Sequence, residues 1–142
     1  MLTKLKWFSI FLPFLLDGCI GIDMKTSPKD VFTLPVAYQD LYQRATLQAQ
    51  NCWSANNEFP IKGELNTASR TAQVSITGEL GLSRYGQVDI RGLDDKSSEI
   101  TVVVSDINIW NVASIAAMRE ALQFGVSTCS SYMPIAKPST KR

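Results

Sequence analysis

The sequence predicts an α+β fold, a two-layer sandwich in which an N-terminal and a C-terminal helix cover one face of a four-stranded antiparallel meander sheet. Two observations predict this class. Apolar residues recur at helical spacing in two segments, and four runs between these segments alternate apolar with polar residues. Short polar breaks separate the runs, so neighbouring strands are antiparallel, and the alternation leaves one sheet face in water.

The chain has 142 residues, which is room for one domain. We expect a leader at residues 1–18, a tether at 19–34, the globular domain at 35–130 and a flexible tail at 131–142. The tether interval has no clear period, and an edge strand at its end, at 31–34, is the alternative. The tail contains prolines and ends in basic residues.

The first predicted helix runs from Val36 to Asn51, and Pro35 suits its first turn. Its apolar residues form one stripe: Tyr38, Leu41, Tyr42, Ala45, Ala49 and Cys52. We interpret Tyr38 and Tyr42 as core residues with their hydroxyl groups at the rim. An exposed aromatic contact patch is the alternative interpretation.

The four predicted strands lie at 59–65, 72–77, 85–91 and 100–105. Their polar residues share the face opposite the helices, and strand faces present flat arrays of side chains to partners. We therefore predict a partner-binding face, as an alternative to simple solvation, from Lys62, Glu64, Gln73, Gln87, Asp89 and Arg91. In the last break, Asp94 and Asp95 more simply form a solvated turn than a metal site.

The last predicted element is a helix that begins after Asn111, a suitable N-cap residue. Its apolar stripe consists of Ile115, Met118, Leu122, Val126 and Cys129. Gly125 weakens this helix and permits close packing. Trp53 and Trp110 lie near the ends of the two helices, where each can fill the core or cap a ligand groove.

The composition excludes several classes of function. The formal net charge is +1 at pH 7, and the sequence contains no histidine. The near-neutral charge gives no electrostatic basis for binding nucleic acid. Without histidine, the commonest general base and most zinc sites are missing. We therefore expect no catalytic residue, no metal and no cofactor, and a protein that is not an enzyme.

The first residues have the layout of a secretory signal peptide. Lys4 and Lys6 precede an apolar segment at 7–16, which is too short for a bilayer-spanning helix of roughly 20 residues. No A-x-A-like cleavage site follows this segment. Instead, Gly18 directly precedes Cys19.

The tetrapeptide Leu16-Asp17-Gly18-Cys19 resembles the lipobox of Gram-negative bacterial lipoproteins, although Asp17 stands where Ala or Ser is usual. The resemblance implies diacylglycerol on the Cys19 sulfur, cleavage before Cys19 and acylation of the new amino terminus. Ile20 follows instead of Asp, which in the enterobacterial pattern implies sorting to the outer membrane. An uncleaved anchor or a buried core segment is the alternative.

With Cys19 acylated and the domain exported, a disulfide between Cys52 and Cys129 is expected, because exported domains enter an oxidising compartment. Two unpaired buried thiols are the alternative. An even number of strands between the helices makes them antiparallel, which separates their C-terminal ends. The bridge then requires a crossing helix or a return of the chain at 106–110.

These expectations combine into a lipid-anchored protein of the cell envelope, in the outer membrane and facing the periplasm, that acts as a non-enzymatic interaction or accessory subunit of a cell-envelope assembly. We expect the membrane and an envelope protein as partners, and no nucleic acid. A small envelope hydrolase and a ligand-binding lipoprotein are the alternatives.

We predict that Cys19 becomes the lipidated first residue of the mature chain. Because acylation requires its sulfur and the amino group that cleavage frees, radiolabelled palmitate should be incorporated by the wild-type chain and not by Cys19→Ser. Equal labelling of the two proteins would contradict the lipobox assignment.

Overall fold

An antiparallel sheet with two helices on one face forms the computed structural model, which describes residues 21–78 and 80–129. Its elements in chain order are β1 (Lys29–Leu34), α1 (Tyr38–Gln48) continued by a π-helical turn (Ala49–Trp53), β2 (Ile61–Asn66), β3 (Thr71–Thr77), β4 (Arg84–Gly92), β5 (Ser98–Val104) and α2 (Val112–Phe124). The α+β class agrees with the prediction. The leader, Cys19 and the tail lie outside the described residues.

The sheet has five strands in the order β1-β5-β4-β3-β2, and all neighbouring strands are antiparallel. The prediction of four strands is corrected by β1, which pairs with β5 along its whole length. Phe32 and Leu34 are buried, whereas Val31 is exposed, so this short segment alternates as a strand with one covered face does. Residues 29–34 therefore belong to the domain and not to a tether.

The segment at 21–28, also assigned to the tether, is hydrogen-bonded to the sheet. The backbone N–H of Ile22 donates to the carbonyl oxygen of Arg84 (2.9 Å). The carbonyl oxygen of Pro28 accepts from the backbone N–H of Val104 (3.1 Å). Within the described part of the chain, this segment is thus attached to the domain and is not a free spacer.

The first helix begins at Tyr38, and its π-helical turn ends at Trp53, close to the predicted interval of 36–51. Its buried residues are Tyr38, Leu41, Ala45, Gln48, Ala49, Cys52 and Trp53. The half-buried ring of Tyr42 lies against Gly63 of β2. Both tyrosines therefore pack against the domain, in agreement with the core interpretation.

Two tryptophans fill the core at one end of the sheet. The Trp53 ring packs on the backbone of Gly86 in β4 so closely that a Cβ atom there would lie 2.7 Å from it, a contact that only glycine permits. The indole N–H of Trp110 donates to the carbonyl oxygen of Trp53 (3.1 Å). The Trp110 ring stacks on Tyr85 and meets Phe59 edge to face. Both tryptophans are thus core residues.

The second helix starts and stops at recognisable capping residues. Oδ1 of Asn111 accepts from the backbone N–H groups of Ala113 (3.0 Å) and Ser114 (3.3 Å), so Asn111 is the predicted N-cap. The helix ends at Phe124, where Gly125 adopts the left-handed conformation with φ of 71°.

The apolar stripe predicted for the second helix extends too far. Val126 and Cys129 lie beyond its end, and the side chain of Val126 is exposed. The chain from residue 125 to 129 instead runs back along α1. There, the side-chain amide of Gln48 donates to the carbonyl oxygen of Thr128 (3.2 Å).

The helices are antiparallel, as expected for a meander with an even number of strands between them. The hydrogen bond from Trp110 to Trp53 places the start of α2 beside the end of α1. Arg44, in the middle of α1, donates to the carbonyl oxygen of Leu122 near the end of α2 (2.7 Å). The C-terminal ends of the two helices are therefore separated along the helix axes.

The structure joins Cys52 to Cys129 in a disulfide with a Cα–Cα distance of 5.4 Å, which is the expected pair. The route of the chain differs from both expected routes. Neither a crossing helix nor the segment at 106–110 brings the cysteines together. The segment at 125–129 does so, because it returns along α1 after the helix has ended.

We predict that replacing Cys52→Ala together with Cys129→Ala lowers the free energy of unfolding by roughly 2–5 kcal/mol, since the bridge closes a long loop in the unfolded chain. Urea unfolding measures this loss. A non-reduced digest of the wild-type chain should contain one peptide joined to another through these cysteines. Full alkylation of both thiols after unfolding without reductant would show that the bridge is absent.

Candidate partner-binding face of the sheet

The sheet face opposite the helices, here called the open face, carries polar side chains in rows that cross four strands. The strand register aligns Glu64 with Gln73, Gln73 with Asp89, and Asp89 with Thr101. The next row consists of Asn66, Thr71, Arg91 and Glu99. Both rows line a groove of about 430 Å³, here called the acidic groove.

Hydrogen bonds fix the polar side chains in the middle of this face. Asp89 accepts at both carboxylate oxygens, from the amide of Gln73 at 2.7 Å and from the amide of Gln87 at 2.6 Å. The Gln87 side-chain oxygen in turn accepts from the guanidinium of Arg84. Because a guanidinium can only donate, it fixes the direction of the Gln87 amide, which then presents a donor to Asp89.

The acidic groove carries more negative than positive charge among its lining residues. The carboxylates of Glu64, Asp89 and Glu99 share it with one guanidinium, that of Arg91. Arg91 lies 3.0 Å from Glu99, and the two side chains are 61% and 40% exposed. An ion pair with this exposure contributes little to stability, so it can rearrange when a partner binds.

The structure brings four of the six predicted face residues together in the acidic groove: Glu64, Gln73, Asp89 and Arg91. Lys62 and Gln87 line a neighbouring groove, which they share with the segment at 21–28. Gln87 is only 6% exposed. Its side-chain amide is therefore satisfied by protein groups instead of water.

Five polar residues of the site were not predicted: Asn66, Thr71, Arg84, Glu99 and Thr101. Glu99 and Thr101 lie on the polar face of β5, so the alternation that selected the other residues could also have found them. Arg84 has no such signal. The pairing of β3 with β4 shifts between Ile76 and Thr77. This irregularity places Arg84 where its guanidinium reaches the side chain of Gln87.

The two aspartates between β4 and β5 form a solvated turn, as the simpler interpretation predicts. Asp94 accepts from the hydroxyl of Ser97 (2.6 Å) and from the backbone N–H of Lys96 (2.8 Å), and these bonds, the first above all, lower the pKa of Asp94. Asp95 pairs with Arg70 at 2.9 Å. Across 21–78 and 80–129, no group of three or more His, Cys, Asp or Glu residues is placed to hold a metal ion.

No protein-family model matches the chain, and no curated protein matches it significantly. Among the helices of the described part, none is both long enough and apolar enough to cross a bilayer.

We predict that Asp89→Ala lowers the free energy of unfolding by about 1–3 kcal/mol, because two glutamine amides lose their acceptor. Asp89→Asn should cost less, since the Gln73 amide can turn round while Arg84 still fixes Gln87. Urea unfolding measures both changes. The control Glu64→Ala, an exposed residue of the same groove, should stay within about 0.5 kcal/mol of the wild type. Equal losses for Asp89→Ala and Glu64→Ala would contradict the network.

Proposed function

We propose that this chain is a bacterial lipoprotein that is held by Cys19 in the outer membrane, faces the periplasm, and serves as a non-enzymatic interaction subunit of a cell-envelope assembly. In this proposal, the open face of the sheet is the surface that binds the protein partner. The acidic groove is the centre of that surface.

The observation that carries the proposal is the directional hydrogen-bond network of Arg84, Gln87, Asp89 and Gln73. A face that is merely solvated needs no such network, because water satisfies its polar groups individually. Side chains that are already fixed lose less conformational entropy on association, so the network favours a binding surface.

The charges of the groove suggest the chemistry of the partner. Among the described residues that line it, carboxylates dominate and Arg91 is the one guanidinium. A partner surface with lysine or arginine side chains beside an acceptor for Arg91 would complement this pattern. Arginine is among the residues that most often dominate binding energy, so we assign Arg91 the role of an anchor.

The envelope location is supported by two independent features of the chain. The leader at 1–18 ends in the lipobox-like sequence before Cys19. A disulfide between Cys52 and Cys129 is typical of a protein that folds in an oxidising compartment.

A ligand-binding lipoprotein is the second candidate, and the groove volume favours it. About 430 Å³ falls within the range of small-molecule sites. The lining is largely polar, so such a ligand would itself be small and polar. Both candidates use the same groove, and the experiment below separates them.

We predict that a photo-crosslinking amino acid at Glu64 captures a discrete protein in native membranes, whereas the same group at Glu120, exposed on the helix side, does not. Adding Arg91→Ala should reduce the product from position 64 by about fivefold or more, because the anchor is lost. Immunoblots of the irradiated membranes measure the product.

Capture from position 120 alone would contradict the assignment of the open face. Absence of any protein product, together with a small-molecule adduct seen by native mass spectrometry, would favour the ligand-binding candidate instead. Arg119→Ala serves as the matched control, because Arg119 is the arginine of another exposed ion pair, on the helix side of the domain, and its loss should leave the crosslinked product unchanged.

A further inference from the structure

The turn between β3 and β4 presents two leucines to solvent. Leu80 and Leu82 are 83% and 85% exposed, more than any other large apolar side chain of the described residues. Gly81 stands between them with φ of 66°, and no atom lies within 4 Å of the position of its missing Cβ. The turn therefore projects away from the domain, and its leucines make no contribution to the core.

The described chain begins at the base of this turn. A Cβ placed on Gly21 would lie 3.4 Å from the backbone nitrogen of Arg84. The backbone N–H of Ile22 donates to the carbonyl oxygen of the same arginine (2.9 Å). Met24, which is 48% exposed, lines one groove together with Leu82.

This proximity limits where Cys19 can be. Only one residue separates Cys19 from Gly21 in the sequence, and an extended chain advances at most about 3.6 Å per residue. The Cα atom of Cys19 therefore lies within roughly 7 Å of that of Gly21. Acyl chains on Cys19, as in the proposed function, would enter the bilayer next to the projecting turn.

We propose that the turn bearing Leu80 and Leu82, together with Met24, inserts into the membrane interface beside the acyl chains and sets the orientation of the domain. The proposal rests on the lipidation of Cys19. The acyl chains hold the protein at the membrane, and the leucines fix how it faces that membrane. Apolar side chains placed at the headgroup boundary lose their exposure to water there.

Charges around the turn fit a phospholipid surface. Lys25, Lys62 and Arg84 lie on the segment and strands that border it, and the acidic residues nearest to the turn and the segment in sequence are Glu79 and Asp23. Basic groups next to an inserted segment attract anionic headgroups. The pattern differs from that of the acidic groove, where carboxylates prevail.

The orientation has a consequence for the open face. The acidic groove includes Asn66 and Thr71, which flank the turn at the opposite end of β3 from Leu80 and Leu82. A domain that rests on the leucine turn therefore directs this groove away from the lipid. The partner surface of the proposed function then faces the periplasm.

The test uses the mature lipidated chain in vesicles of phosphatidylethanolamine and phosphatidylglycerol, with and without brominated acyl chains. Leu82→Trp places an indole on the turn. Leu93→Trp, on the turn at the other end of β4, is the matched control. Trp53 and Trp110 are buried and supply a constant background. Vesicle flotation reports anchoring separately from quenching.

We expect both variants to float and the added fluorescence of Leu82→Trp to be quenched at least about threefold more than that of Leu93→Trp, since interfacial segments lie about 5–10 Å deep. Flotation with equal quenching would overturn the insertion of the turn while leaving the anchor intact. Failure of the wild-type chain to float would overturn lipid anchoring, and the orientation proposal with it.

Discussion

The contact between the Trp53 ring and the backbone of Gly86 determines how the helix layer meets the sheet. The ring occupies the space that a side chain of β4 would otherwise fill. The carbonyl oxygen of the same tryptophan receives the Trp110 indole, and the preceding residue, Cys52, carries the disulfide. Two adjacent residues at the end of the first helix, Cys52 and Trp53, therefore connect this helix to the central sheet, to the start of the second helix and to the segment at 125–129. The buried indole N–H of Trp53 has no partner among the described residues, a cost of about 1–3 kcal/mol that this packing must exceed.

Strand β4 connects the core to the candidate site. Its alternate residues Gly86, Val88 and Ile90 are buried, while Gln87 and Asp89 carry the hydrogen-bond network of the open face. Because successive side chains of a strand point to opposite faces, packing on one side fixes the backbone that positions the polar groups on the other. A binding surface built on a strand held in this way is more rigid than one built on loops.

The sequence predicts the α+β class, the antiparallel meander and the Asn111 cap, because each leaves a local pattern of spacing or residue type. The cysteine pair is expected on other grounds, from the two cysteines that remain when Cys19 is assigned to lipid. Strand β1 is harder to recognise, since its only signal is the pair Phe32 and Leu34, and its partner strand is distant in the chain. Gln87 is bonded to Arg84 and Asp89 of its own strand and lines a groove with residues of β2 and of the segment at 21–28. No spacing pattern in the sequence predicts the burial of Gln87, whereas the exposure of Glu64 and Arg91 follows from the alternation alone.

The pairing of the first strand with the last has a consequence for the order of folding. Three hairpins join β2 to β5 through short turns, so their closure involves little loop entropy. Among the described strands, β1 pairs with β5 alone, which lies far later in the sequence. High sequence separation makes such a pairing slow. The chain can therefore form its three hairpins first. The pairing of β1, the first strand in the sequence, with β5 then completes the sheet.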